Sequence, residues 1–419
     1  MQTDSSPVGA AARRAGPSAY RIDTNDDIEP FALEFLGTGG EFFRVWIVNL
    51  LLNIVTLGFY TPFARRRTAQ YFYSHTLVAG SPLEFIAQQR KMVFGFLLLA
   101  AIYIAFQVAA ETGQDAAVSI LMVAGALLAP YLWASAMRFR LGATRWRGVR
   151  LQFAASWGEV YKASWPVFVT ALVWILVSTV FTYLLGDIPE DQPDALLFAA
   201  VPLWAWLLVP AALVTTFLCI IRLEFNYKSL LVSRAYIGAQ AGRWKPVYKD
   251  FVRIWLATLG VFLLGALALA AVTAVLVGGS IFAADGGKSA GFGAVLAVIA
   301  AVFGFLIGLV FASAPARAYR QARMFQLVWN NVGVSKIARF KCRLRTRRFV
   351  LLRVKNMVLT LLTLGFYRPF AMISEYRMKA ESVTLHVKGG LDQLVGQLVG
   401  QQDGIGDALA DAVGLDLVG

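Results

Sequence analysis

The chain has 419 residues, 58% of them hydrophobic and 15% charged, whereas soluble domains run at about 45–50% apolar and about 25% charged. Too few charges remain to cover a soluble surface, so the composition reads as a polytopic membrane protein. The net charge of +14, from 39 Lys+Arg against 25 Asp+Glu, belongs in such a protein to cytoplasmic loops.

Residues 1–32 are polar and Ala/Ser/Asp-rich, lack the apolar core of a signal peptide, and read as a disordered tail. Apolar runs follow at about 42–63, 92–110, 117–137, 165–186, 195–221, 251–284, 290–313 and 349–371, set against the roughly 20 residues a spanning helix needs. The links between the six middle runs alternate in sign. Short links carry Glu111 and Asp115, then Asp187, Glu190, Asp191 and Asp194, then Asp285. Long links carry Arg138 to Arg150, Arg222 to Lys249, and the dense series from Arg317 to Arg348. The positive-inside rule places the long links in the cytoplasm, so the middle of the chain reads as three transmembrane hairpins.

The two flanking runs are copies. Val48 to Ala64 (VNLLLNIVTLGFYTPFA) matches Lys355 to Ala371 (KNMVLTLLTLGFYRPFA), within duplicated segments at about 42–85 and 349–385. If all eight runs spanned, the copies would cross in opposite directions although their flanks match in the same one. A helix from Phe42 to Leu57, stopped by a left-handed Gly58 and by Pro62, would reach only about 24 Å. That falls short of a core of about 30 Å. The expected fold is therefore an all-α helical bundle of three transmembrane hairpins plus two duplicated interfacial or re-entrant helices, with both termini cytoplasmic. Eight spans are the alternative.

Between the helices, Tyr71 to Phe85 and Arg138 to Phe153 each read as a small β-hairpin. Such hairpins are too small to fold alone, so they should pack together as a basic cap. Residues 389–419 form an acidic amphipathic tail, with Leu394, Leu398, Ile405, Leu409 and Val413 against Asp392, Asp403, Asp407, Asp411 and Asp416. It reads either as a segment docked on the cap or as a free solvated tail.

Phe35, Gly37, Gly39 to Arg44, Trp46, Asn49, the TLGFY at Thr56 to Tyr60, Pro62 and Arg65-Arg66-Arg67 together resemble the YjgN-type bacterial inner-membrane family. Trp329-Asn330-Asn331, ahead of the second TLGFY, is similar to that family's later repeat. The resemblance covers about residues 33–388. It departs where Met372 to Ser374 replace the arginines of the first copy. It implies a location and an architecture and carries no established activity.

Asn49, Asn53 and Thr56 share one helical face, as do Asn356, Thr360 and Thr363 in the second copy, with Tyr60 and Tyr367 extending the stripes if the helices run on. Such stripes either line a pathway or lipid site or serve as hydrogen-bonding glue between helices. Arg44, Arg65, Arg66, Arg67, Arg353, Lys355 and Arg368 cluster around the copied helices. There they either contact anionic lipid headgroups or only fix topology. Arg253 is the single ionisable side chain in the six middle runs, close to an end, which disfavours a coupled pump. His75 and His386 have no catalytic or metal-binding company, Cys219 and Cys342 form no disulfide framework, and no nucleotide motif is present. No enzyme activity, metal or cofactor is expected. Tyr319 to Phe325 reads as an aromatic belt at the membrane, so nucleic acid is not an expected partner. Membrane lipids are, and a protein partner or a homo-oligomer is open. Two functions follow as expectations: a passive pathway or lipid-handling bundle, and a scaffold whose basic cytoplasmic face recruits lipid or protein.

Overall fold

A computed structural model describes residues 28–185, 202–238, 240–245, 247–284, 290–334 and 337–390, together with 395, 396 and 398. The acidic links at Asp187 to Asp194 and at Asp285, and the tail beyond 398, lie outside the described residues.

The cap is a closed antiparallel barrel. Its strands are β1 (Ile28–Phe35), β2 (Thr76–Val78), β3 (Ser81–Phe85), β4 (Thr144–Trp146), β5 (Val149–Phe153), β6 (Ala235–Ile237), β7 (Gln240–Trp244), β8 (Val332–Val334), β9 (Ala338–Cys342) and β10 (Val383–Lys388). Each strand pairs with its neighbours in sequence, and β1 closes the ring by pairing its first five residues with β10 and its last three with β2. Ala79-Gly80 and Arg147-Gly148, all with positive φ, make the two-residue turns whose twist suits a hairpin. Inside the barrel pack Leu33, Val149, Val334, Val383, Leu385 and Val387.

Every odd strand leads into helices, and every helical excursion returns into the next even strand. The excursions are α1 (Gly39–Val55) with α2 (Thr61–Ser74), α3 (Gln89–Glu111) with α4 (Asp115–Gly142), α5 (Trp157–Ala163) and α6 (Trp165–Leu185) with α7 (Leu203–Ser233), α8 (Tyr248–Ala284) with α9 (Ala290–Asn331), and α10 (Thr346–Leu362) with α11 (Arg368–Ala380). Because adjacent strands are antiparallel, all five excursions leave and re-enter through the same mouth of the barrel.

Among the described residues six helices are long and apolar enough to cross a membrane: Gln89–Glu111, Ala116–Gly142, Trp165–Leu184, Leu203–Ser233, Tyr248–Leu276 and Ile299–Asn331. They coincide with the six middle apolar runs. The fold is mostly helical and polytopic, as expected. The first and last excursions are shorter, at 17 and 14 residues for α1 and α2 and 17 and 13 for α10 and α11. Since β1 and β2 pair with each other, the segment between them must turn back to its starting side.

Three local expectations change, and one of two alternatives gains support. Tyr71 to Ser74 belong to α2 rather than to a strand, because Phe72 is held between Phe42 and Tyr376, with ring centroids 5.0 and 4.7 Å apart. Tertiary packing outweighs the β propensity of an aromatic run. Arg138 to Gly142 likewise complete α4, so the second hairpin begins at Thr144. The first strand starts at Ile28, inside the segment expected to be a tail, because its pairing with β10 gives that backbone its hydrogen bonds. At the other end Val395 packs on the barrel core and Leu398 is buried in it, which places at least this part of the C-terminal segment against the cap.

Candidate functional site

The two TLGFY segments fold into the same turn. Each helix ends on a threonine, Thr56 or Thr363, whose hydroxyl donates to the carbonyl four residues back, Leu52 or Leu359, at 2.7 Å in both. The same hydroxyl accepts the amide of Tyr60 at 3.0 Å or Tyr367 at 2.9 Å. Leu57 and Gly58 then take φ of 49° and 91°, and Leu364 and Gly365 take 50° and 96°. The glycine amides reach back to the carbonyls of Asn53 and Thr360, at 2.7 Å in both, satisfying groups that a helix end leaves open. A prolyl residue at the first turn of the return helix fixes the new direction. Leu57 and Leu364, at the tips, are 89% and 90% exposed.

This geometry gives the polar stripes a different job from lining a shared path. The helices stop before the glycines, so Tyr60 and Tyr367 do not extend the stripes; they cap the return helices. Asn53 Oδ1 lies 3.2 Å from the Thr61 hydroxyl, which lies 2.6 Å from the Gly58 carbonyl. Asn49 and Asn356, 5% and 2% exposed, do not meet. Each turns to its own return helix: Asn49 Nδ2 is 3.5 Å from the Ala64 carbonyl, and Asn356 Nδ2 is 3.3 Å from that of Ala371. Asn356 Nδ2 also lies 3.0 Å from Ser374 Oγ and 3.2 Å from Glu375 Oε1. Both Oδ1 atoms are buried without a partner.

The second hairpin faces a cavity of about 600 Å³ against α9, whose polar lining is Arg317, Arg353, Asn356, Thr360, Arg368 and Glu375. Glu375 pairs with Arg353 at 3.5 Å, and Arg353 also donates to Gln321 on α9. The first hairpin has a groove of about 420 Å³ lined by Arg44, Val45, Val48, Arg67 and Gln70, away from its polar stripe. Arg65 and Lys355 are exposed, and Arg66 is half-buried with its Nε unpartnered. The seven basic residues therefore surround both hairpins, but only Arg353 and Arg368 join the cavity.

Sequence reasoning passed over two acids inside basic stretches. Glu375 organises the cavity wall. Glu224, on α7, accepts from Trp255 Nε1 at 2.7 Å and pairs with Lys228 at 2.5 Å and Arg320 at 3.4 Å, tying α7, α8 and α9 together. A lone acid in a segment that otherwise holds charge inside is the signal that could have found both. Among the described residues no group of three His, Cys, Asp or Glu could hold a metal ion.

A family profile described as "Bacterial protein of unknown function (DUF898)" matches residues 30–412. The chain belongs to this family. As a DUF898 member it is similar to the "Inner membrane protein YjgN" of Escherichia coli O157:H7, at 27% identity over 37% of this chain and 38% of the relative. The proteins of the same name from Salmonella typhimurium and Escherichia coli K12 are 24% and 25% identical, over 39% and 42% of this chain and 41% and 44% of theirs. The alignments thus span about two fifths of these relatives. No solved structure matches. With six helices able to cross a membrane, the relatives' names support a multi-pass inner-membrane location.

Proposed function

We propose that this DUF898 member is a lipid-handling protein in which three hairpins cross the bilayer while the two TLGFY hairpins enter the cytoplasmic leaflet and turn back. The barrel is then the cytoplasmic cap, with both termini on that side. The observation that carries the reading is the pair of tips: leucines about nine-tenths exposed, on a reversal whose backbone polar groups are met by Thr56, Thr61, Asn53 and Thr363. An irregular turn can sit in hydrocarbon only if its polar groups are satisfied internally, and an exposed leucine at such a turn gains from lipid rather than water. Helices of 17 residues extend about 25 Å, too short to span a core of about 30 Å. The exposed Arg44, Arg65 and Arg67 would meet anionic headgroups, each contributing about 1 kcal/mol. A scaffold role rests on the same arginines, since an acidic protein surface would suit them too.

Fluorophores on Phe59→Cys and Phe366→Cys in the full chain in vesicles test the insertion. Quenching by spin labels on the acyl chains is expected. Quenching by aqueous iodide alone would remove the reading. A reporter active only in the periplasm, fused to the C-terminus, should stay silent; signal would invert the orientation.

A further inference from the structure

We infer that the cleft between α9 and the second TLGFY hairpin is a binding site for one anionic phospholipid of the cytoplasmic leaflet. This rests on the proposed insertion of the hairpins and names the ligand that one of them takes.

Charge comes first. Three arginines and one glutamate line the cavity, 3 − 1 = +2, and the glutamate is already engaged by Arg353 and Asn356. Arg317 and Arg368 pair with no acidic side chain among the described residues. Two guanidiniums without an acidic partner on the wall of one cavity suit a phosphate, which takes their fork geometry in pairs of hydrogen bonds. The rest of the wall is apolar: Val310, Phe311, Met357, Leu361, Leu364 and Met372.

Arg353 bonds Gln321 across to α9, and Arg317 lies one turn further from the barrel than Gln321. Val310, which lines the cavity with the tip residue Leu364, is seven residues beyond Arg317, about 10 Å along the helix. Arg317 Nη2 donates to the Val310 carbonyl at 3.4 Å, so its guanidinium lies on the tip side of its own backbone, beside the apolar wall of the cavity. Arg368 starts the return helix on that same side, next to the tip.

The first hairpin is the internal control. Trp46, Thr61 and Thr68 stand where the second has Arg353, Arg368 and Glu375, and Thr61 serves the turn. The turn does not need an arginine there, so Arg368 is available for a ligand.

The test is native mass spectrometry of the full chain, delipidated in detergent and titrated with phosphatidylglycerol, phosphatidylcholine or water-soluble glycerol phosphate. Phosphatidylglycerol should bind at one site and the other two should not. The double variant Arg317→Gln with Arg368→Thr should weaken it about 30-fold, from about 1 kcal/mol per basic residue. Arg65→Gln on the first hairpin should leave this site unchanged. Equal retention of phosphatidylcholine, binding of glycerol phosphate without chains, or full retention by the double variant each overturns the site. Arg368→Thr alone, which restores the residue of the first turn, keeps the test valid if the double variant misfolds, and should cost about 5-fold. Failure of tip quenching with the lipid selectivity intact would refute the insertion alone; the reverse would refute this site alone.

Discussion

Thr61 and Arg368 follow two turns with matching dihedrals, and the neighbourhoods they enter are unlike. Thr61 closes its own turn through Gly58 and Asn53. Arg368 leaves the turn and lines a cavity against α9. Phe42 and Phe349, in equivalent positions, are both fully buried, the first with Phe35, Ile373 and Ala380 and the second in the barrel core. What differs is the neighbour: α1 packs on the other hairpin through Phe43 against Phe370 and Trp46 against Phe366, whereas α10 also faces a spanning helix. One scaffold can thus serve as a closing element in one place and as a wall of a site in another, with few substitutions separating the two roles.

The largest effects test what the hairpins share. Phe42→Ala and Phe349→Ala should each cost about 3–5 kcal/mol, read as thermal unfolding in detergent. A large loss at one and none at the other would break the equivalence. Asn356→Leu and Asn49→Leu test where the hairpins part. Asn356 Nδ2 faces three acceptors, and stranding them should cost about 1–3 kcal/mol. Asn49 holds one bond of 3.5 Å, at the limit of useful geometry, so its replacement should cost under about 1 kcal/mol. Equal losses would remove the asymmetry.

The smallest effect concerns Lys379, which stands where the first hairpin has the aromatic Phe72. Burial, and then the neighbouring Arg353, hold its ammonium below the usual lysine range, with Glu375 opposing. Below its folded-state value such a lysine is charged in both states, and its penalty is present in full there. The penalty fades as pH rises through the folded-state value toward the unfolded one. Lys379→Met should therefore stabilise at pH 7 by about 1 kcal/mol or less. Its advantage over the natural chain should shrink in alkaline melts, and a constant advantage would argue against the charge as its cause.

Much of the architecture was legible because it rests on period and sign. Six apolar runs marked the six helices long and apolar enough to cross a membrane among the described residues, and the repeated TLGFY marked a shared turn, down to its left-handed glycine. The barrel was not legible. Its strands are as short as three residues, and nothing local records that β1 meets β10. The aromatic run at Tyr71 to Tyr73 misled for the same reason, since Phe72 packs on Phe42 of α1 and Tyr376 of α11. In the site, the polar stripes were found but their direction was not. A helical face says which residues align, not whether they turn to a cavity or back to their own turn. Glu375 and Arg317 come together only through the packing of α11 and α10 on α9.

Ring closure also sets an order of assembly. Phe31 pairs with Leu385, so one edge of the first strand has no partner until about 350 further residues are made. At roughly 5–20 residues per second, that is on the order of 20–70 s. The helices between them are made in that interval while an unpaired strand edge, open to pairing with other chains, waits. A chain truncated before Val383 would keep every spanning helix and the barrel's first nine strands, yet never close, and its failure would be one of aggregation rather than insertion.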